Sequence, residues 1–216
     1  MAPENPDPKK DYPQYLDTLQ DDTEASIRER VAELRAEIDR LESQLDETRK
    51  SKQILFLMGG ELRDELVRFL TVGLDLPAKV SEESSDAFWL VAEAVGEEWC
   101  LGEVRESASG NVTREMLARV EINRHDAGKP DDFPALLVVN SFHEKENLED
   151  RDQAVPPEMA RRANEDHILV VRTLDLVRLR QKEQSGFAGI KDLLEALREG
   201  GWFEVNATLI SKHHRD

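Results

Sequence analysis

The chain holds a single cysteine, Cys100. No internal disulfide can form, and a lone thiol fits a reducing compartment. Aromatic residues are sparse at 6%, which leaves the core to be built mainly from aliphatic side chains. Basic residues are outnumbered, with 29 Lys and Arg against 46 Asp and Glu, a net charge of −17. Such a field opposes non-specific adhesion to nucleic acid or anionic membranes. A DNA partner would therefore need a locally basic surface. No apolar run approaches the roughly 20 residues that span a bilayer, so no membrane partner is expected. The polar, proline-rich start, Met1-Ala2-Pro3-Glu4-Asn5-Pro6, is unlike a secretory signal. A cytoplasmic location is the expectation. Zinc-type Cys/His spacing, Walker and dinucleotide glycine patterns and Gly-x-Ser-x-Gly are all missing, which removes support for those chemistries.

What is present is best read from one stretch. Asp86 leads into the apolar run Ala87 to Ala92, an acidic turn follows at Gly96-Glu97-Glu98, and a second run covers Trp99 to Arg105. Two apolar runs about a short turn predict a β-hairpin. Antiparallel pairing would bring Asp86 and Glu103 to the same end of it. Side-chain alternation puts Arg105 on the same strand face as Glu103. Two carboxylates there could bind a divalent cation, or could be solvated strand ends.

The flanks divide the chain into segments. Residues 1–22 carry four prolines among acidic residues and read as a disordered tail. Residues 23–51 place Ile27, Val31, Leu34, Ile38, Leu41 and Leu45 at alternating spacings of four and three, the seam of a coiled coil. Thr23 is a candidate N-cap. Homodimerisation through this helix is expected. β-branched residues at one seam position and leucine at the other favour a parallel pair. In that pair, however, Arg30 would face Arg35, and Glu37 would face Glu42. An antiparallel pair, or a helix folded back on its own domain, stays open.

Residues 52–206 read as one α/β domain. An apolar run at Ile54–Met58 ends at Gly59-Gly60, and Leu62, Leu66, Phe69 and Leu70 mark a helix to about Gly73. A strand at Ala78–Val80 precedes the hairpin. Asn111 or Thr113 caps a helix whose apolar face carries Met116, Leu117, Val120 and Ile122. Pro134–Asn140 and His167–Thr173 read as strands buried on both faces, separated by a charged loop at 143–152 and a helix from Pro156-Pro157. Thr173 could cap a further helix, a last helix runs from Phe187 to about Arg198, and Trp202–Val205 closes a sheet edge. Residues 207–216 read as a polar tail. A hairpin followed by strand–helix–strand units implies a mixed sheet with helices on both faces.

The order helix, three-strand meander, helix, strand, together with Asp86, the hairpin and Glu103-Val104-Arg105, resembles the PD-(D/E)XK nuclease superfamily. The likeness runs from residue 55 to about 205 and implies a restriction-endonuclease-like core. It further implies phosphodiester hydrolysis of DNA with Mg2+ or Mn2+ held by Asp86, Glu103 and the Val104 carbonyl, since such chemistry needs a hard cation on oxygen ligands. Arg105 stands where the family has lysine, and an arginine stabilises charge but transfers protons poorly. The glutamate that often follows a Gly-x-x-Leu start in the family is Arg63 here; Glu61 and Glu65 are the available substitutes. Both departures point to an altered site. The alternative to a nuclease is a non-catalytic dimeric scaffold or DNA-sensing module that keeps the fold. Arg114, Arg119 and Arg124 on or beside one helix, or the group Arg172, Arg178, Arg180 and Lys182, could meet phosphates, or could be salt-bridged surface.

Overall fold

The computed structural model describes residues 22–92, 94–108, 110–184, 189–205 and 210–213. Residues 1–21 of the tail expected at 1–22, and the expected helix start at Phe187, lie outside them, while Asp22 belongs to a helix. The chain divides into two compact units, Met1–Thr48 and Arg49–Asp216, and each is described by itself.

The described residues of the first unit belong to helix α1, Asp22–Lys50, whose last two residues fall in the second. Glu24 in its first turn and Arg49 and Lys50 in its last suit the helix dipole. Because α1 already includes Asp22, Thr23 lies inside the helix rather than capping it. Short intrahelical ion pairs, Arg28 with Glu24 at 2.5 Å and Arg30 with Glu33 at 2.6 Å, lace the polar faces.

In the second unit a 3₁₀ turn, Gln53–Leu55, precedes helix α2, Gly59–Arg68. Gly59 and Gly60 form the first turn of that helix. A π-helical turn, Phe69–Gly73, extends it. Strands β1 (Ala78–Val80), β2 (Ala87–Val91) and β3 (Glu98–Ser107) then form an antiparallel meander. Helix α3 (Arg114–Asp126) crosses to β4 (Ala135–Ser141), which lies parallel to β3. The short helix α4 (Leu148–Arg151), within the segment read as a loop, and α5 (Pro157–Glu165) lead to β5 (Ile168–Arg172), parallel to β4. Helices α6 (Thr173–Gln184) and α7 (Gly189–Glu199) follow, and then β6 (Gly201–Val205), parallel to β5.

The final strand corrects two expectations. Ile210–His213 forms β7, antiparallel to β6. Trp202–Val205 is therefore an inner strand, and part of the presumed polar tail belongs to the sheet. Order along the sheet equals order along the chain, β1 to β7. The fold class is α/β with a mixed sheet.

Alternation along β4 sorts its buried side chains to two faces. Leu136 and Val138 pack with α2, α6 and α7 residues such as Leu66, Leu176 and Leu193. Ala135, Leu137 and Val139 pack with Leu117 and Val120 of α3 and Ala160 and Ala163 of α5. Every residue of β4 and β5 is buried, as continuous apolar runs require. Ile122 departs from expectation: it is exposed, and the buried positions of α3 are Leu117, Val120 and Arg124.

One arginine read as a candidate phosphate contact, Arg172, is an interior tie. Arg172, 1% exposed, donates from Nε and Nη2 to Asp175 at 2.6 and 2.9 Å and from Nη1 to the Gln153 carbonyl at 2.7 Å. Asp175 also accepts from the Val205 N–H at 3.0 Å, so α6 and β6 are tied through one carboxylate. Thr173 is buried as the first residue of α6, and its hydroxyl donates to Asn140 Oδ1 at 3.1 Å.

One glycine of β3 is there for space. A Cβ on Gly102, next to Glu103, would lie 2.2 Å from the Phe88 ring. Gly102→Ala is expected to lower stability by about 1–3 kcal/mol, the usual cost of overpacking, in chemical denaturation. Adding Phe88→Leu should recover part of the loss.

Candidate functional site

The antiparallel ladder of β2 and β3 sets the site. Ala87 pairs with Glu103, and the Val104 N–H donates to the Asp86 carbonyl at 2.9 Å. Asp86 thus stands immediately before β2 and beside Glu103 and Arg105 on β3. The sequence expectation that these three side chains converge is met.

They converge on each other. Arg105 donates from Nη1 to Asp86 Oδ2 at 2.7 Å and from Nε to Glu103 Oε1 at 2.5 Å, with Nη2 also against Glu103 Oε1. The second oxygen of Glu103 accepts from the Asn123 amide of α3 at 2.8 Å. The second oxygen of Asp86 accepts from the Ser85 hydroxyl at 3.0 Å. All four carboxylate oxygens therefore have a donor from this chain. The guanidinium fills the position between the two carboxylates that a cation would occupy.

Burial differs among the three. Glu103 is fully buried, while Asp86 and Arg105 remain about a third and a quarter exposed, at 32% and 24% of their side chains. Burial pushes the Glu103 carboxyl above the usual carboxylate range, and the Arg105 guanidinium and the Asn123 amide pull it back. This balance keeps a carboxylate inside the sheet only because a fixed positive charge lies against it.

These residues as arranged do not fit a divalent cation. Asp86 and Glu103 are hard oxygen donors of the right kind, but their lone pairs are directed at N–H and O–H groups. A guanidinium is permanently charged and would repel a second cation at the same point. Neither of the substitute acids expected from the sequence, Glu61 and Glu65, joins them. Glu65 pairs with Arg68, Glu61 is exposed, and among the described residues no three His, Cys, Asp or Glu side chains gather as a metal set. Arg63 bonds Asp64 Oδ1 at 2.7 and 2.9 Å and reaches the Ser84 carbonyl at 3.5 Å.

Two clefts open beside the pair. One, of about 460 Å³, is lined by Arg105, Thr113, Glu115, Met116 and Arg119. Thr113 caps α3 by accepting from the Met116 N–H at 3.4 Å, which fixes that rim. Arg119 and Arg105 share this cleft, whereas Arg114, exposed in the first turn of α3, does not line it. The other, of about 240 Å³, is lined by Gly59, Asp86, Val104, Arg105 and Glu106. There Glu106 accepts from the Gly59 N–H, placing a carboxylate at the N-terminus of α2, where the helix dipole favours it.

Asn123 and Glu106 were not singled out from sequence. Asn123 follows buried Val120 by three positions, and a weak helix former beside a buried face is the signal it gave. Glu106 gave none, since only the fold brings α2 to it. Arg124 is 3% exposed and bonds the Phe133 and Asp166 carbonyls at 3.1 and 3.0 Å. Arg178 pairs with Asp152 at 2.5 Å, as expected of a salt-bridged surface. Arg172 and Arg124 are thus removed from the candidate phosphate contacts. Cys100 is buried and its thiol is pushed up by burial, a packed rather than reactive side chain.

No family model, curated protein or solved structure matches the chain.

Removing the guanidinium tests the electrostatic balance. Arg105→Met should destabilise the protein by about 2–4 kcal/mol near neutral pH, below the full cost of breaking a buried pair because water reaches part of the site. The sign with pH follows from the raised Glu103 value. A carboxyl that holds its proton more tightly folded than unfolded favours folding at low pH, and that contribution is lost as pH rises through the folded value. The deficit of Arg105→Met should shrink as pH falls towards the carboxylate range, read by urea midpoints across pH.

Proposed function

We propose that this chain is a nuclease-type domain whose cation position is held by its own Arg105, acting as a dimeric interaction module that engages DNA without metal-dependent cleavage. The observation that carries the reading is the Arg105 guanidinium bonded to both Asp86 and Glu103. The order of a helix, an antiparallel three-strand meander, a helix and a parallel strand supports a restriction-endonuclease-like core. So does the position of the two carboxylates at one end of the hairpin. Hydrolysis would need a hard cation in place of the guanidinium to polarise the phosphate and activate water. A guanidinium supplies fixed positive charge and directed N–H donors, which suits binding.

DNA is the ligand that the resemblance offers. The cleft shared by Arg105 and Arg119, with the Thr113 and Met116 rim, is where a backbone phosphate would meet two guanidiniums. The net charge of −17 makes such binding weak and steeply salt-dependent. In this reading two copies are joined through the seam of α1.

Calorimetry with Mn2+ separates this reading from an active nuclease. The unaltered protein should give no heat that Glu103→Ala removes, and plasmid should survive incubation with Mg2+ or Mn2+. Arg105→Lys, which releases the planar clamp on both carboxylates, should gain Glu103-dependent Mn2+ binding. Glu103-dependent binding and plasmid cleavage by the unaltered chain would overturn the reading. Fluorescence anisotropy with a short duplex checks the DNA arm: Arg119→Ala should weaken binding at low salt.

A further inference from the structure

We propose that two copies of the chain pair through α1 in antiparallel orientation, with Leu34 of each helix opposite the partner's Ile38. The proposal rests on the joining of two copies in the reading above and adds orientation and register to it.

The seam asks for a cover. No residue of α1 is buried, and Ile27, Val31, Leu34, Ile38, Leu41 and Leu45 are between 40% and 58% exposed. Six such side chains in a continuous stripe on an otherwise charged helix are what a second helix packs against. Their positions are symmetric about residue 36. A two-fold axis there sets Ile27 against the partner's Leu45, Val31 against the partner's Leu41 and Leu34 against the partner's Ile38. All six are used, and every layer joins one β-branched residue to one leucine, so the layers have similar bulk. Antiparallel coils pack in this alternating manner, whereas a parallel pair would stack each residue on its own copy.

Charge decides between the orientations. In a parallel pair Arg30 meets the partner's Arg35 and Glu37 meets the partner's Glu42, each twice by symmetry, and no flanking attraction offsets them. In the antiparallel pair Glu42 falls between the levels of the partner's Arg28 and the partner's Arg35. On the other flank Arg30 falls between the partner's Glu37 and the partner's Gln44. Like charges meet only beside the axis, Arg35 with the partner's Arg35 and Glu37 with the partner's Glu37. Glu37 brings its own counterion, since Arg40 donates to it at 2.7 and 2.9 Å. Partner choice and direction in coiled coils follow such flanking charges.

The orientation fixes where the chains leave the pair. With a rise of 1.5 Å per residue, Lys50 and the partner's Lys50 lie about 42 Å apart along the axis. In a parallel pair they would be side by side.

Disulfide trapping on the full chain tests this, with Cys100→Ala removing the native thiol. Ile27→Cys mixed with Leu45→Cys and oxidised should give a cross-linked mixed dimer, and neither variant alone should cross-link. A cross-linked dimer from Ile27→Cys alone would overturn the orientation. Spin labels on Lys50→Cys leave the seam intact and should report a separation of about 40 Å; one below about 20 Å, the reach of two adjacent helices with their labels, would overturn it. Light scattering on the unaltered chain separates the two levels. A dimer mass with parallel cross-links sinks the register alone, while a monomer mass sinks the pairing and this proposal with it. Neither outcome bears on Arg105, whose calorimetric test is independent.

Discussion

Two carboxylates side by side, one of them fully buried, repel each other unless a positive charge lies between them. Arg105 supplies that charge from the same strand as Glu103, and the local structure is arranged to hold it there. The pairing of Ala87 with Glu103 puts Asp86 at the level of the guanidinium. Helix α3, capped by Thr113, delivers Asn123 to the oxygen of Glu103 that Arg105 leaves over. Gly102 lets the Phe88 ring close the opposite face of the strand. An arginine here differs in kind from a bound ion. It cannot dissociate, its geometry is planar, and its Nε, Nη1 and Nη2 are each directed at Asp86 or Glu103.

Much of the sheet was legible because its signals are strong. Ala87–Val91 and Trp99–Arg105 are apolar runs about a short turn, and the β4 and β5 runs are apolar without a break, which only strands covered on both faces sustain. The alternation of two also placed Glu103 and Arg105 on one face before any coordinates. Their outcome was less legible. A cation site and an internal ion pair have the same carboxylates, and only the reach and direction of the guanidinium separate them.

What sequence concealed was mostly buried charge. Arg124 and Arg172 look like surface cations in a chain with 35% charged residues. Their partners are backbone carbonyls and, for Arg172, the carboxylates of Asp175, Asp152 and Glu204, and the most distant of these, the Asp166 carbonyl, lies 42 positions from Arg124. Glu106 meets Gly59 across 47 positions. No local pattern encodes such contacts. Ile122 failed for a different reason: the helix turns its buried face toward Leu117, Val120 and Arg124, so an apolar residue near its end was left in water.

Strand β3 carries opposing chemistry on its two sides: Glu103 and Arg105 face α3, and Glu106 faces the start of α2. Sliding the strand by one residue would invert every assignment. Glu106 would be thrust toward α3, Arg105 into the apolar layer beneath α2, and the ring of Phe88 would meet a side chain where it now meets none. The acidic and basic groups of this strand therefore act as a key that admits a single alignment, so whatever the pair does for a ligand, it also proofreads the fold.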